Sequence, residues 1–321
     1  MQYTSLGRTG LKVSRLCLGT MNFGYVTEEA DSLAMMDRAV ELGINLFDTA
    51  NVYGGIGVTE SIIGRWFAQG GGRRDAVVLA TKLRGRTGEG ANEGGLSAYH
   101  IRRACEASLR RLQTDHIDLY QMHHVERGTP WDEIWQGMEQ LVREGKITYV
   151  GSSNVAGWDI AKANEAADRR HFLGLVSEQA LYNLHGRMIE LEVIPACRDY
   201  GRSIIPYCPQ SGGLLCGVLE KLTEGRRARE DFRLVVEKFR GQIETFESFC
   251  RQQGRTPSDI ALAWVLANPV VASPIIGPRT LEQLDACTGA LDVALDEKAM
   301  QRLDEIWPGP GGEAPDAWDR A

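Results

Sequence analysis

Four side chains in this sequence are of the types, and in the order, that reduction of a carbonyl group requires. Asp48, Lys82 and His123 each end an apolar run typical of a β-strand, and Tyr53 lies five residues after Asp48. An unpaired charge inside an apolar core is very costly, so a charged residue belongs at a strand end where the strand meets a cavity. We expect these strand ends to share one cavity.

Hydride transfer to a ketone or aldehyde leaves an alkoxide that needs a proton. The hydroxyl of Tyr53 is a candidate donor, although a tyrosine pKa near 10 suits neutral pH poorly. The ammonium of Lys82, oriented by Asp48, is expected to lower this pKa. The attraction between the ammonium and the phenolate is worth at most about 4 kcal/mol, which corresponds to roughly three pKa units. His123 would orient and polarise the carbonyl oxygen.

The same residues have two other interpretations. Asp48 and Lys82 alone could form a structural ion pair, but their combination with Tyr53 and His123 favours catalysis. The adjacent His123 and His124 could suggest a metal. Neighbouring strand residues face opposite ways, however, and no carboxylate cluster accompanies them, so we predict no metal site.

The periodicity alternates between strand-like and helix-like segments after an opening hairpin near residues 3–13. The predicted strands cover residues 15–19, 44–48, 77–81, 117–122, 147–151, 175–179, 203–207 and 270–276. The predicted helices between most of them cover 28–42, 58–69, 99–112, 132–144, 157–170 and 188–200.

This alternation predicts an α/β fold, a (β/α)8 TIM barrel whose N-terminal hairpin plugs the bottom, and an open doubly wound sheet is the alternative. A polar residue or glycine closes nearly every predicted strand, which favours the barrel because its active sites lie at that end.

Residues 1–307 are predicted to form one domain and 308–321 a flexible tail. Helices near 233–253 and 257–267, inserted after the seventh strand, would form a lid.

Composition limits the function classes. The net charge of −7 argues against nucleic acid or an anionic membrane as partner, and no apolar run is long enough to span a bilayer. The first residues lack a signal peptide, and the seven cysteines are scattered without a Cys-x-x-Cys pair, so we expect a cytoplasmic protein with reduced thiols. Cys208 and Cys216 flank a predicted pocket loop and are either small fillers or redox-sensitive.

Several motifs together resemble the aldo-keto reductase family over almost the whole chain. They are Leu18-Gly19-Thr20-Met21, Phe47-Asp48-Thr49-Ala50-x-x-Tyr53-Gly54, Ala80-Thr81-Lys82, Asp118-Leu119-Tyr120-Gln121-Met122-His123, Gly151-Ser152-Ser153-Asn154-Val155 and Ile275-Ile276-Gly277-Pro278-Arg279. The resemblance implies a barrel that binds an extended nicotinamide cofactor without a Rossmann motif. Accordingly, the glycines of 54–57 are not a dinucleotide fingerprint.

The resemblance also implies a set of residues that bind the cofactor. They are Gly19, Thr20, Met21, Ser153, Asn154, Gln179, Tyr207, Gln210, Gly212, Leu214, Gly277, Arg279, Gln283 and Cys287. Tyr207 would stack on the nicotinamide, and Arg279 would contact a 2′-phosphate, which predicts NADPH rather than NADH. Gln210 stands where the family usually has Leu, and Cys287 where it commonly has Asn, so both contacts depart from the pattern.

The substrate is predicted to be a small-molecule carbonyl compound that is large and oxygen-rich, because the residues expected at the rim are polar and aromatic. They are Asn22, Phe23, Tyr25, Arg84, His124 and Trp131, with Met21 beside them. Longer runs resemble bacterial secondary-metabolism members, NDP-hexose 2,3-enoyl reductases and mithramycin-type side-chain ketoreductases. A regulatory subunit like the potassium-channel β-subunits is the alternative from another class. Exposed Trp66, Trp131 or Trp158 would mark a contact between copies of a homo-oligomer.

Overall fold

A computed structural model describes residues 1–220 and 230–320 of the chain. It opens with an antiparallel hairpin of β1 (Tyr3–Ser5) and β2 (Lys12–Ser14). Leu6 and Val13 of this hairpin are fully buried and pack against inward-facing residues of the strands that follow, such as Leu119. The hairpin therefore closes the bottom of the sheet, as the sequence predicts.

Eight parallel strands form one curled sheet. They are β3 (Cys17–Gly19), β4 (Leu46–Asp48), β5 (Val78–Leu83), β6 (Ile117–Met122), β7 (Ile147–Ser153), β8 (Leu175–Gln179), β9 (Ser203–Ile204) and β10 (Ile275–Ile276). Their order is β10-β3-β4-β5-β6-β7-β8-β9. The sheet closes where the amide of Ile204 donates to the carbonyl of Val270 and its carbonyl accepts from Ala272, both at 2.9 Å. The predicted (β/α)8 barrel is confirmed.

Helices surround the barrel. They are α1 (Glu29–Glu41), α2 (Val58–Ala68), α3 (Ala98–Leu112), α4 (Trp131–Arg143), α5 (Gly157–Asp168), α6 (Val193–Asp199), α7 (Glu230–Lys238), α8 (Arg240–Gln252), α9 (Pro257–Ala267), α10 (Leu281–Cys287) and α11 (Glu297–Ile306). Side-chain oxygens of Ser97, Thr256 and Asp296 accept backbone N–H bonds at the first turns of α3, α9 and α11, which is why these helices begin there.

Alternation within the strands decides which side chains reach the interior. In β5, Leu79 and Leu83 pack outward against the helices, while Val78 and Ala80 point into the barrel. Lys82 continues the inward series at the carboxyl end of the strand. Because both faces are covered, the strand is apolar throughout except at the end that faces the site.

The segment after β9 differs from its prediction. The single helix expected near 233–253 is two helices, α7 and α8, separated at Phe239, whose backbone is not helical. The ring of Phe239 packs edge-on against His185 at 4.6 Å and lies 6.0 Å from Trp307. This packing turns the chain there. Residues 221–229 of the expected long loop lie outside the described residues.

The other segments predicted to be mobile are held by hydrogen bonds. In the glycine-rich loop 85–95, the amide of Thr87 donates to Glu93 O at 2.8 Å, and Gly95 donates to Arg84 O at 3.0 Å. In the tail, the amide of Ala314 donates to Leu191 O at 3.0 Å. The mobility of both segments stays a prediction.

Among residues 1–220 and 230–320, no helix has the length and apolar character needed to cross a bilayer.

Candidate active site

A buried ion pair lies at the carboxyl end of the barrel. Lys82 has no exposed surface, and its Nζ lies 2.6 Å from Asp48 Oδ2 and 2.9 Å from the carbonyl of Thr49. The second carboxylate oxygen of Asp48 accepts from Gln121 Nε2 at 3.2 Å and Gln179 Nε2 at 2.8 Å. These hydrogen bonds replace those that both charged groups would make with water, and a buried ion pair needs them to offset the cost of desolvation.

Tyr53 completes the arrangement from the turn between β4 and α2. Its hydroxyl lies 3.0 Å from Nζ of Lys82, and Nζ also lies 4.7 Å from the centre of its ring. The turn requires Gly54, whose φ of 69° is left-handed, and the amide of Thr59 donates to Tyr53 O at 3.3 Å. The backbone therefore holds the phenol over the ammonium.

His123 lies beside Tyr53. The two rings meet edge to face with their centroids 5.7 Å apart, and the amide of His123 donates to Leu83 O at 3.1 Å. The structure thus brings all four predicted side chains into one site.

Burial determines the protonation of the tyrosine. Burial raises the pKa of Tyr53 above its ordinary value, and the charge of Lys82 opposes but does not cancel this rise. The expectation that Lys82 lowers this pKa overall is therefore wrong, because it counted the charge and not the desolvation. Tyr53 is a neutral phenol at physiological pH.

The other two titratable groups are also fixed in one state. Burial lowers the pKa of Lys82, but Asp48 and Tyr53 together raise it above its ordinary value, so the ammonium stays charged. Burial, followed by the positive charges of Lys82 and Arg84 and the neighbouring His124, lowers the pKa of His123 to about 3. His123 is a neutral imidazole at every pH near neutrality.

Two further residues support the site, and neither had been assigned a role from the sequence. Gln121 holds Asp48, and its position two residues before His123 on the same strand face is the signal that could have identified it. Glu178 is buried on the outer face of β8 and accepts from Ser152 Oγ at 2.5 Å and from the amide of Val155 at 3.2 Å. Burial raises the pKa of Glu178 to about 8.

The residues expected at the nicotinamide form a connected group. Asn154 Nδ2 donates to Ser153 Oγ at 2.9 Å and to His123 O at 3.3 Å, and its Oδ1 accepts from Tyr207 Oη at 2.9 Å. Tyr207 is half-buried. Gln179 bonds to Asp48 through its amide nitrogen, so its oxygen is the atom that could accept from a carboxamide.

The loop after β9 has the backbone conformations of an anion-binding turn. Cys208, Ser211 and Gly212 have φ values of 51°, 51° and 64°. Turns with left-handed residues can present backbone amides to phosphate oxygens. In this loop the amides of Ser211 and Gly213 donate to the carbonyls of Cys208 and Gln210, at 2.9 and 3.0 Å. The side chain of Gln210 is bonded to Ser258, and Leu214 is buried in the core.

The other edge of the predicted cofactor groove follows β10. Gly277 is exposed, and the only atom near the space that its Cβ would occupy is Asn22 Nδ2, at 3.7 Å. The amide of Arg279 donates to Gln283 Oε1 at 2.9 Å, which fixes its position just before α10. Cys287 is 8% exposed and packs in the core, where burial raises the pKa of its thiol to about 12.

The strand β3 supplies the floor between these two edges. The space of a Cβ on Gly19 is filled by Ile275 Cγ2 at 2.5 Å, so only glycine fits there. Thr20 Oγ1 donates to Asp48 O at 2.9 Å and is fully buried, whereas Met21 is 50% exposed. Thr20 therefore holds the site and Met21 borders it.

The residues expected at the substrate rim divide into two groups. Tyr25 and His124 are exposed, Arg84 is partly exposed, and Asn22 bonds to Gly277 O at 3.2 Å. Phe23, by contrast, has no exposed surface, because its loop packs into the core and its carbonyl accepts from Thr59.

Three tryptophans were expected at the rim or at a subunit contact, and they lie on helices around the barrel. Trp131 stacks on Trp135 with a centroid distance of 5.6 Å and lines a groove between α4 and α5 together with Trp158, so it does not border the site as expected. Trp66 is fully buried and cannot mark a subunit contact. Trp158 is 47% exposed.

The described ranges, 1–220 and 230–320, contain no group of His, Cys, Asp and Glu side chains arranged to hold a metal ion. His124 stacks on His123 with a centroid distance of 5.8 Å. The two imidazoles thus pack against each other.

The barrel brings Asp48, Tyr53, Lys82 and His123 together at one end, and sequence comparison gives the family. Residues 15–308 match the aldo/keto reductase family. The uncharacterized oxidoreductase YrpG of Bacillus subtilis is 54% identical over 325 residues, 99% of each chain. Versiconal hemiacetal acetate reductase of Aspergillus parasiticus is 33% identical over 339 residues, covering 95% of this chain and 96% of that protein.

A third relative has a different type of name. A probable voltage-gated potassium channel subunit beta of Arabidopsis thaliana is 32% identical over 303 residues, covering 91% of this chain and 92% of that protein. The chain belongs to the aldo-keto reductase family and is an oxidoreductase.

Proposed function

We propose that the protein is an NADPH-dependent reductase of ketones or aldehydes in which Tyr53 donates the proton. One observation carries this proposal: Nζ of Lys82 lies within 3.0 Å of both Asp48 Oδ2 and Tyr53 Oη. The charge needed to stabilise a phenolate is thus already in contact with the phenol. A bound dihydronicotinamide would supply the hydride.

The proton step follows from the protonation states. Tyr53 enters the reaction with its proton, because burial keeps its pKa high. As the carbonyl carbon accepts a hydride, its oxygen gains negative charge and takes the proton from Tyr53 Oη, giving the alcohol and a phenolate. Lys82 then stabilises that phenolate by its N–H bond, and a positioned acid of this kind contributes about a hundred- to ten-thousand-fold.

His123 acts on the same oxygen without transferring a proton. With a pKa of about 3, it carries one N–H and no charge at physiological pH. A neutral donor beside Tyr53 orients the carbonyl by a hydrogen bond and cannot compete as an acid.

The donor set fits an extended nicotinamide nucleotide. Ser153, Asn154 and the oxygen of Gln179 would hold the carboxamide, and Tyr207 would stack on the ring. The left-handed loop after β9 would hold the pyrophosphate, and Arg279 the 2′-phosphate.

The substrate class rests on the rim and on the relatives. Exposed Tyr25 and His124, with partly exposed Arg84, suit a large oxygenated compound. Versiconal hemiacetal acetate reductase, named for a compound of this kind, is similar over nearly the whole chain. A ketone of bacterial secondary metabolism is our proposal for this protein, and the enoyl group of a nucleotide sugar is the alternative.

The test is a titration with NADPH and NADH, followed by the loss of NADPH absorbance with a reactive dicarbonyl or quinone. We expect Tyr53→Phe to lower kcat by about a hundred-fold or more while retaining nucleotide binding. Tyr99→Phe, on the exposed face of α3, is the matched control and should leave kcat unchanged.

Two results would count against the proposal. Tight nucleotide binding without Tyr53-dependent turnover would leave either a substrate too specific for these surrogates or a cofactor-sensing subunit, the function class suggested by the potassium-channel relative. Absence of binding by either nucleotide would refute the reductase altogether.

A further inference from the structure

Arg84 lies beside the catalytic histidine at the mouth of the barrel. It follows β5 directly, and β5 pairs with β6 up to Leu83 and Met122, so the next residues along the two strands are Arg84 and His123. The amide bond from His123 to Leu83 O at 3.1 Å extends the pairing to that point.

The guanidinium of Arg84 makes no hydrogen bond or ion pair with any residue that the structure describes. Its Nε is buried without a hydrogen bond, and within residues 1–220 and 230–320 no carboxylate lies at ion-pair distance from it. Arg86, two residues on, instead donates to the carbonyls of Glu89 and Gly90 at 3.0 and 3.1 Å. A buried donor left unpaired carries a cost that an incoming acceptor would relieve.

The acidic residues of the neighbouring loops are engaged elsewhere. Glu126 accepts from Thr129 Oγ1 at 2.7 Å, and Glu93 accepts from the amide of Gly90 at 3.3 Å. Asp48 is neutralised by Lys82. None of these three carboxylates forms an ion pair with Arg84.

The backbone holds Arg84 in a position that costs energy. Its φ is 94°, in the left-handed region that a side chain rarely adopts. The following residue must be glycine, because a Cβ on Gly85 would lie 2.7 Å from Val52 Cγ1. A strained arginine beside catalytic groups indicates that its placement serves a function.

His124 adds a second polar group to the same place. It is exposed, it stacks on His123, and the charge of Arg84 contributes, after burial, to lowering its pKa. Arg84 and His124 thus face the same space.

We propose that Arg84 and His124 form an anion subsite, and that the physiological substrate carries a carboxylate or phosphate near the carbonyl to be reduced. Guanidinium binds either group through two parallel N–H bonds, which fixes orientation as well as affinity. This inference rests on the proposed reductase function and specifies its substrate class.

The test compares three aldehydes of the same shape: para-carboxybenzaldehyde, para-formylphenyl phosphate and methyl para-formylbenzoate. Binding is measured by calorimetry with and without NADP⁺, which cannot supply hydride, and turnover is measured separately with NADPH. We expect at least one anion to bind about ten- to a hundred-fold more tightly than the ester, the range of one charge-assisted contact. The tighter of the two anions identifies the group.

Variants of Arg84 test whether this residue causes the preference for the anions over the ester. Arg84→Gln should reduce the ratio of anion to ester affinity about ten-fold or more. Arg84→Gly should do the same while keeping the fold, since glycine suits a φ of 94°. The matched control Arg86→Gln should keep the wild-type ratio.

Each outcome decides the question. Anions that bind no better than the ester, or a preference that survives both Arg84 variants, would overturn the subsite whether or not the aldehydes are reduced. Tight, Arg84-dependent binding without turnover would support the subsite and count against the reductase instead.

Discussion

The two halves of the barrel mouth differ in how far they are closed by the protein's own side chains. On the half formed by β4, β5 and β6, Asp48 accepts from Lys82, Gln121 and Gln179, and every bond is made within the protein. On the half formed by β9 and β10, Cys208 and other residues of the turn adopt left-handed conformations, and Gly277 lies open. The pair of Asp48 and Lys82 at the centre of the first half is complete as folded, whereas Arg84 at its edge and Gly277 in the second half are open.

This difference suits the two tasks that we propose, proton donation and nucleotide binding. Proton donation needs a charge that is in place before the substrate arrives, so its groups are preorganised in a dry environment. Nucleotide binding needs donors whose partners are the phosphates themselves. Mutations in the first half should therefore damage both folding and chemistry, and mutations in the second half should alter affinity.

The largest effect is expected from Lys82→Met. Removing the ammonium leaves Asp48 buried without a counter-charge, which should lower the free energy of unfolding by about 3–5 kcal/mol. The variant should also lose about a hundred- to ten-thousand-fold in kcat, because the phenolate of Tyr53 loses its stabilising bond. Denaturant unfolding and steady-state kinetics measure the two effects.

The exposed Lys298 on α11 provides the matched control, since Lys298→Met should change neither quantity. A Lys82→Met protein as stable as the wild type would show that the ion pair is not the organising element of the first half.

A smaller and more selective effect is expected from Arg279→Gln. Loss of one charged contact is worth about 1.5–3 kcal/mol, so the KM for NADPH should rise about ten- to a hundred-fold. The KM for NADH, which lacks the 2′-phosphate, should remain near its wild-type value. An equal rise for both nucleotides would remove Arg279 from the 2′-phosphate site.

The last prediction concerns the pH dependence of stability and Glu178, on the strand β8 between the two halves. Burial raises the pKa of Glu178 from its ordinary 4.5 to about 8, so between these values the folded protein holds a proton that the unfolded chain releases. The free energy of unfolding should therefore fall as pH rises through this window, with a limiting slope of about 1.4 kcal/mol per pH unit from this group. Glu178→Gln keeps an acceptor for Val155 and should flatten that slope.

Denaturant midpoints measured from pH 5 to pH 8 test this directly. Asp159 also faces Glu178 and contributes to its raised pKa, so the comparison is between the two slopes rather than between single values. Parallel slopes for wild type and variant would show that Glu178 is already charged in the fold.

The sequence predicted the site residues that lie at strand ends. It did not predict features that depend on contacts between residues distant in the chain. Asp48, Lys82 and His123 were predictable because charged or polar residues end apolar strands, and the structure places them together. The supporting role of Gln121 was not assigned, since a glutamine inside a strand has no local signal beyond its register. Phe23 was expected at the rim because its neighbours are polar, but the loop folds back into the core.

The same limit explains the remaining errors. The raised pKa of Tyr53 depends on its burial, which the charges in its motif do not reveal. The break between α7 and α8 at Phe239 depends on contacts with His185 and Trp307, which are distant in sequence. The final helix α11 was not predicted, although Asp296 gives it an N-terminal cap.

The seam of the barrel lies between β9 and β10, where we expect a bound nucleotide to stabilise the fold. Each of these strands has two residues, and the bonds across the seam run from Ile204 to Val270 and Ala272 and from Ile275 to Pro206. The loops proposed to hold the pyrophosphate and 2′-phosphate leave from opposite sides of this seam. A bound dinucleotide would therefore fasten the barrel shut, and its presence at a hundred times its Kd would add about 2.7 kcal/mol to the stability of the whole fold.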